Sequence, residues 1–205
     1  MSLMRRARLM SRTSSLPDLW FAVPGDPETR TGGYIYAKRL TAALRARGWT
    51  VHSVRLPGTF PHPSPGDLAE TLRLLAALPT RAPTLIDGLA FGALPADLLA
   101  GLDLTITALV HHPLALETGL TPEDAQTAAQ RERAALTFAR AVIVTSPHTA
   151  DVLAADYGVA RTQIVIALPG VDSQPRAQGS HPPSLLTVAT VTPRKGHDVL
   201  VAALA

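Results

Sequence analysis

Residues 19–56 read LWFAVPGDPETRTGGYIYAKRLTAALRARGWTVHSVRL, and a change of period inside this stretch decides the fold class. Leu19 to Val23 is a short apolar run of strand type that stops at Pro24-Gly25. A loop rich in Gly, Pro and Thr follows, from Asp26 to Gly33. From Tyr34 the spacing becomes helical: Tyr36, Leu40, Ala43 and Leu44 fall at i, i+4, i+7 and i+8, along one face. Gly48 suits the end of that helix, and Thr50 to Leu56 alternates as a second strand. Strand, glycine loop, helix and strand make a βαβ unit, for which parallel strands and a right-handed crossover are expected.

The same alternation continues downstream. Asp67 to Leu78 reads as a helix, and Thr84 to Ile86 as a buried strand ending at Asp87-Gly88. Pro95 to Ala100 is a short helix, and Leu104 to Val110 a strand that runs into His111-His112-Pro113. Thr121 suits an N-cap, with Pro122 at the first helical position and Asp124 completing a box-like start; this helix is expected to run to about Arg140. Ala141 to Val144 is a strand, Ser146-Pro147 opens a helix ending near Gly158, and Ile164 to Ala167 is a strand before Pro169-Gly170. Alternating short apolar strands and helices specify an α/β protein, a Rossmann-like doubly wound and mainly parallel sheet. Ligands bind such sheets beyond the carboxyl ends of the strands.

The remainder divides the chain further. Residues 1–15 carry Arg5, Arg6, Arg8 and Arg12 with no acid before Asp18, and are expected to form a flexible basic tail. Those four arginines exceed the whole formal charge of +3, so the basic character belongs to the tail and not to a binding face. No interleaved basic and aromatic pattern appears, which argues against nucleic-acid binding; contact with an anionic membrane surface is the one partner role open to the tail. Residues 16–173 form the complete Rossmann-like domain, and 174–184 a polar linker rich in Pro, Gly and Gln. In residues 185–205, Leu185 to Val191 reads as a fresh strand and Gly196 to Ala205 as the start of a helix, the opening of a second Rossmann-like domain. One strand and one helix cannot bury their own apolar faces. This segment is therefore expected to be disordered, to pack on its own domain, or to pair two chains into a homodimer. With no cysteine, disulfides and thiolate metal sites are excluded. No apolar run reaches the roughly 18 residues of a spanning helix, and the N-terminal segment is a poor signal peptide, so a soluble cytoplasmic protein is expected.

Several segments offer chemistry, each with a plain structural alternative. Gly32 and Gly33 open the first helix after the first strand, where glycine permits close approach of a ligand to the backbone and the helix N-terminus attracts anions. A tight turn with close helix–sheet packing would explain them equally. The dinucleotide fingerprint G-x-G-x-x-G is absent. His111, directly after a buried-type strand, is placed to donate a hydrogen bond to a substrate hydroxyl or to act as acid or base; bonding loop backbone is the alternative. His112 should point to the opposite side, and a metal reading of the pair is weak, so no metal site is expected. Glu132 falls on the apolar stripe formed by Ala125, Ala128, Ala129, Ala135, Leu136 and Ala139. A carboxylate there needs a partner, and an ion pair with a nearby arginine is expected. Ser146 is fully explained as an N-cap. Arg194-Lys195 lies between the last strand and last helix, either as a solvated loop or as a diphosphate contact.

Taken in order, Thr31-Gly32-Gly33-Tyr34, the strand ending in His111, Glu132 to Leu136, Ala141 to Ser146, Pro169 to Asp172 and Thr192 to Leu200 resemble the family 4 (group 1) retaining glycosyltransferases of GT-B architecture. The resemblance runs from about Leu19 to the end, and its last segment is the most specific. It implies an N-terminal domain that mainly binds acceptor, with the Gly32-Gly33 loop near the donor phosphate and acceptor. It implies that His111 contacts the donor sugar near the reacting carbon and that Lys195, with Arg194, meets the departing diphosphate. The co-substrate would be a nucleotide-diphosphate sugar, without a metal or other cofactor, and Glu132 and Ser146 would be polar support. Ala189 and Thr190 stand where the family commonly has Gly-Arg, so either Arg194 substitutes or donor binding differs. The carboxylates that hold the donor ribose and sugar in the family fall outside these 205 residues, so the chain alone is expected to be inactive. A non-catalytic binding or regulatory module on the same scaffold is the alternative. An epimerase of the same architecture would need more acids than the sequence offers.

Overall fold

The computed structural model describes residues 18–205. The basic tail, residues 1–15, lies outside them. Strands β1 (Asp18–Pro24), β2 (Thr50–Leu56), β3 (Ala82–Asp87), β4 (Leu104–Val110), β5 (Ala141–Val144) and β6 (Ile164–Ile166) form one sheet in the order β2-β1-β3-β4-β5-β6. Every neighbouring pair is parallel. Helices α1 (Gly32–Ala46), α2 (Pro65–Ala76), α3 (Gly88–Phe91), α4 (Ala96–Ala100), α5 (Pro122–Leu136) and α6 (Pro147–Asp156) fill the crossovers, and α7 (His197–Leu204) lies near the chain end. The Rossmann-like α/β class read from the alternation of periods is the fold observed.

Because both faces of a parallel sheet are covered, its strands are apolar at successive positions and send alternate side chains to two different cores. Phe21, Leu85 and Leu109 join Ala37 and Val51 in a smaller cluster, where Tyr36, Leu40 and Leu44 of α1 also pack. Their chain neighbours Ala22, Ile86 and Val110 belong to the larger cluster, with Leu75 of α2, Phe91 of α3, Leu99 of α4, Leu136 of α5 and Leu153 of α6. Among the described residues α1 is therefore the helix that covers the smaller face, and it does so over β1, β3 and β4.

The helix ends follow local chemistry. Thr121 caps α5 by accepting from the Asp124 amide at 3.1 Å, as its sequence predicts. α2 starts earlier than expected because Ser64 and Asp67 form a reciprocal capping box. α5 stops at Leu136, short of Arg140. The amides of Phe138 and Ala139 turn back to Ala135 and Leu136, and the Arg140 amide already donates to Ile106 of β4 at 2.9 Å. Gly48 follows α1 with φ of 90°, the left-handed conformation anticipated at that helix end.

One expected element is absent. Leu185 to Val191 carries strand-type residues but forms no strand, and Leu185, Leu186, Val188 and Val191 are exposed. β-propensity is realised only through a pairing partner, and none of the described strands lies beside this segment. It does not pack on the domain either. The polar stretch 174–184 also lacks regular structure, whereas the helix expected from Gly196 forms from His197.

α3, which periodicity did not suggest, is held against β4 by a missing side chain. A Cβ on Gly88 would lie 2.8 Å from the Leu109 carbonyl oxygen and 3.2 Å from the Val110 Cα. In an open helix Gly→Ala would stabilise by up to about 1 kcal/mol. Here backbone atoms would have to move, and overpacking costs about 1–3 kcal/mol. Gly88→Ala is therefore expected to lower stability in urea denaturation by at least about 1 kcal/mol; a variant as stable as the wild type would show that α3 can retreat freely.

Candidate functional site

β1 has β2 on one side and β3 on the other, so the chain reverses direction across the sheet at β1. The carboxyl ends on the two sides of such a reversal diverge and leave a crevice. Gly32 and Gly33 stand there at the start of α1, with Asp87 closing β3 and His111 following β4.

The register fixes their common side. Asp87 pairs with Leu109, and two residues on from Leu109 alternation brings His111 to the same face, beneath α1. A Cβ on Gly33 would lie 3.8 Å from the His111 ring, and one on Gly32 would meet nothing within 4 Å. The protein's own packing thus requires neither glycine. The Tyr36 ring meets His111 edge-on, with centroids 5.2 Å apart, and the Tyr36 hydroxyl donates to the Ala167 carbonyl at 3.0 Å, beyond β6. The Tyr34 hydroxyl donates to Pro24 at 2.7 Å. Thr31 precedes α1 without a side-chain cap, and the first turn holds no acid. Its amides therefore present an uncompensated positive end beside the imidazole.

His111 Nε2 is buried, has no hydrogen-bond partner, and lies 3.8 Å from Asp87 Oδ2. Burial holds the histidine below its ordinary pKa. Asp87 is 4% exposed; its Oδ1 accepts from the Leu89 amide at 3.0 Å, capping α3. Burial pushes its pKa up to about 6, against the lowering by that amide. His112 takes the other side, as alternation requires, with Nε2 3.0 Å from the Leu116 carbonyl. Among the described residues no group of three or more His, Cys, Asp or Glu is arranged to hold a metal ion, and no helix is long and apolar enough to cross a membrane.

Glu132 meets the backbone after His111 directly, and Ser146 does so through Thr149. Glu132 is 1% exposed. The expected ion pair with an arginine does not form: Oε2 accepts from the Leu114 amide at 2.9 Å, and Oε1 has no partner. Arg131 and Arg133 flank it in sequence and so diverge from it around the helix. Arg133 instead donates to the Asp156 carbonyl at 2.6 and 3.0 Å and lies over the Tyr157 ring. Ser146 caps α6 by accepting from the Thr149 amide at 3.0 Å, and its hydroxyl lies 2.9 Å from that of Thr149. The Thr149 hydroxyl in turn donates to the His111 carbonyl at 3.4 Å. Gly32, Gly33 and His111 are thus brought together, with Glu132 and Ser146 bracing the loop behind them. Arg194 and Lys195 stand exposed on the 3₁₀ turn Pro193–Lys195, with no hydrogen bond or ion pair tying them to this crevice. Asp87, Tyr34 and Tyr36 are members that residue-by-residue reading missed as site residues. The available signal was an acid ending the apolar strand next to the one that His111 follows.

Glu132 has its pKa raised by burial to about 7 from an ordinary 4.5. A folded-state pKa above the unfolded value means that the native state binds the extra proton. The associated stability is complete below about pH 4.5 and is lost as pH rises through about 7. Asp87 acts in the same sense between 3.8 and about 6. The exposed pairs involving Asp67, Glu70 and Asp172, whose pKa values are lowered, act oppositely and at lower pH. Glu132→Gln keeps an acceptor for Leu114 and cannot titrate. It is expected to flatten the fall in urea-unfolding free energy between about pH 4.5 and 7 by on the order of 1–3 kcal/mol. An unchanged slope would mean that Glu132 is ionised without cost.

No curated protein matches the chain. The family model described as Glycosyltransferase Family 4 matches residues 31–174, from the residue before Gly32 through β6 and the segment that follows it. That span is well over half of the chain and contains Gly32, Gly33, Asp87, His111, Glu132 and Ser146. Strands β2 to β6 and helices α1 to α6 lie within the matched span, which begins after β1; the chain belongs to Glycosyltransferase Family 4.

Proposed function

We propose that this domain is the acceptor-side half of a transferase that moves a sugar from a nucleotide-diphosphate sugar to an acceptor with retention at the anomeric carbon. One observation carries the reading: the uncapped start of α1, at Gly32 and Gly33, lies directly against His111 at the reversal point of the sheet. Glycines that the internal packing does not need leave room beside a helix end that favours anions. The donor diphosphate suits that room, and His111 suits a hydrogen bond to the donor sugar near its reacting carbon.

The roles follow from where charge develops. As the diphosphate departs, positive charge grows on the sugar and negative charge on the leaving group. Preorganised dipoles and cations aimed at the leaving group stabilise this more than a strong base would. The α1 N-terminus supplies part of that field. Arg194 and Lys195 supply the rest when the segment bearing them meets the donor, Arg194 serving where Thr190 offers no charge. Glu132 and Ser146 keep the backbone after His111 in place. No resident metal or cofactor is assigned a step. The carboxylates that the family resemblance puts on the donor ribose and sugar lie outside these 205 residues, so the reading expects no turnover from the chain alone. Residues 16–173 act as the acceptor-side unit, 174–184 as the connection, and 185–205 as the beginning of the donor side.

The test uses the transferase that contains this domain with a panel of nucleotide sugars. His111→Ala is expected to lower kcat by about 10²–10³-fold, the cost of removing one preorganised hydrogen-bonding group. Proton NMR of the product is expected to show the donor's anomeric configuration. Undiminished turnover in the variant would remove His111 from the reaction, and an inverted product would overturn retention.

A further inference from the structure

Asp87 is a buried carboxylate to which the proposed transfer gives no task, and its placement is costly. Capping a four-residue helix does not require it: Ser, Thr or Asn would cap equally well and carry no charge into a buried site. Two features bring it to the imidazole. β3 and β4 pair so that Asp87 lies opposite Leu109. Gly88 then lets the backbone of α3 approach the Leu109 carbonyl more closely than any Cβ permits.

The titratable and polar groups facing the pair are few. α1 presents Tyr34 and Tyr36, with Gly33 bare beside the Nε2 edge of the ring, α3 presents the Leu89 amide, and the Thr145 and Thr149 hydroxyls meet the His111 carbonyl and not its ring. Asp26 and Arg55 act on the Tyr34 hydroxyl. No lysine or arginine pairs with Asp87 or His111 among the described residues. The imidazole side chain keeps 28% exposure, and none of it lies at Nε2, which is sealed.

We infer that Asp87 is a positioning residue for His111: its Oδ2, 3.8 Å from the sealed Nε2, keeps the ring proton on that nitrogen and leaves Nδ1 to meet the ligand as a hydrogen-bond acceptor. The separation is longer than a hydrogen bond, and such contacts often tighten only in the ligand complex. A neutral imidazole has one donor and one acceptor, and the group behind it selects which nitrogen is which. An acceptor at Nδ1 suits a hydroxyl group, from the donor sugar or the incoming acceptor, and offers nothing to a phosphate oxygen. The Asp87 pKa of about 6 keeps this arrangement intact at neutral pH and dissolves it in mild acid.

Asp87→Asn provides the contrast. Its carbonyl can still cap Leu89, but its amide group donates toward Nε2, which moves the ring proton to Nδ1 and reverses the polarity offered to the ligand. The measurement is long-range ¹H–¹⁵N correlation on the imidazole-labelled 205-residue chain, from about pH 5 to 8. His111 is assigned by the signal lost in His111→Gln. The expected result is a neutral Nε2–H tautomer in the wild type and Nδ1–H in Asp87→Asn. A wild-type Nδ1–H tautomer, or the same tautomer in both proteins, would overturn the inference; the wild-type spectrum alone decides if the variant does not fold. The inferred use of Nδ1 rests on the proposed role of His111, whereas the spectrum needs no substrate. A failed transferase assay with the expected tautomers would sink that role and leave the Asp87 contact standing. Within the transferase, Asp87→Asn is expected to lower kcat at least about tenfold, and to change it little in a His111→Ala background. Equal losses in both backgrounds would show that Asp87 serves structure alone.

Discussion

A sheet whose strands all run the same way sends every carboxyl end to one edge, and each return crossover must pass over a face. Both consequences govern this molecule. The crossovers bury the two faces, and this is why Phe21 and Ala22, Leu85 and Ile86, and Leu109 and Val110 are apolar in succession and belong to different cores. The shared edge gathers the α1 glycines, Asp87 and His111, although the sequence separates them widely. The site proposed for sugar transfer is a place that strand direction had already prepared.

That edge is also where the protein departs from economical folding. Asp87 and Glu132 are carboxylates buried without a cation, each content with one backbone amide. An apolar or neutral polar residue at either position would be cheaper to bury. Glu132 holds the amide of Leu114, so the turn after His111 is fixed by a buried hydrogen bond and not by packing alone. Asp87 uses one oxygen to cap α3 and turns the other toward His111. Local rules are broken at this edge and kept elsewhere, as in the capping of α2, α5 and α6.

How far the sequence could be read depended on the range of the interaction. Strand and helix periods, the caps at Thr121 and Ser146, and the position of His111 after β4 are local properties and were legible. Glu132 was recognisable as out of place on an apolar stripe, but its partner was not, because a backbone amide carries no mark in the sequence and Leu114 is far from it along the chain. The Asp87–His111 contact depends on strand register and on the close approach of Gly88 to β4; the glycine itself is legible, but the register and what it packs against emerge only with tertiary structure. Leu185 to Val191 shows the converse: residues with good strand propensity formed nothing, since a strand is a property of a pair.

Tyr36 gives the site a mechanical link. Its ring rests edge-on against His111 while its hydroxyl holds the Ala167 carbonyl, at the point where the chain leaves β6. Farther along the same departing segment, Asp172 is paired to Arg39, one helical turn from Tyr36. The chain beyond the sheet is thus moored twice to the helix whose first turn borders His111. A displacement of that outgoing segment, as when whatever follows it swings toward the crevice, would pull on α1 and on the aromatic wall of the imidazole together. The histidine's surroundings would then register whether the outgoing chain is drawn in or released, and the crevice could be tuned from a position well outside it.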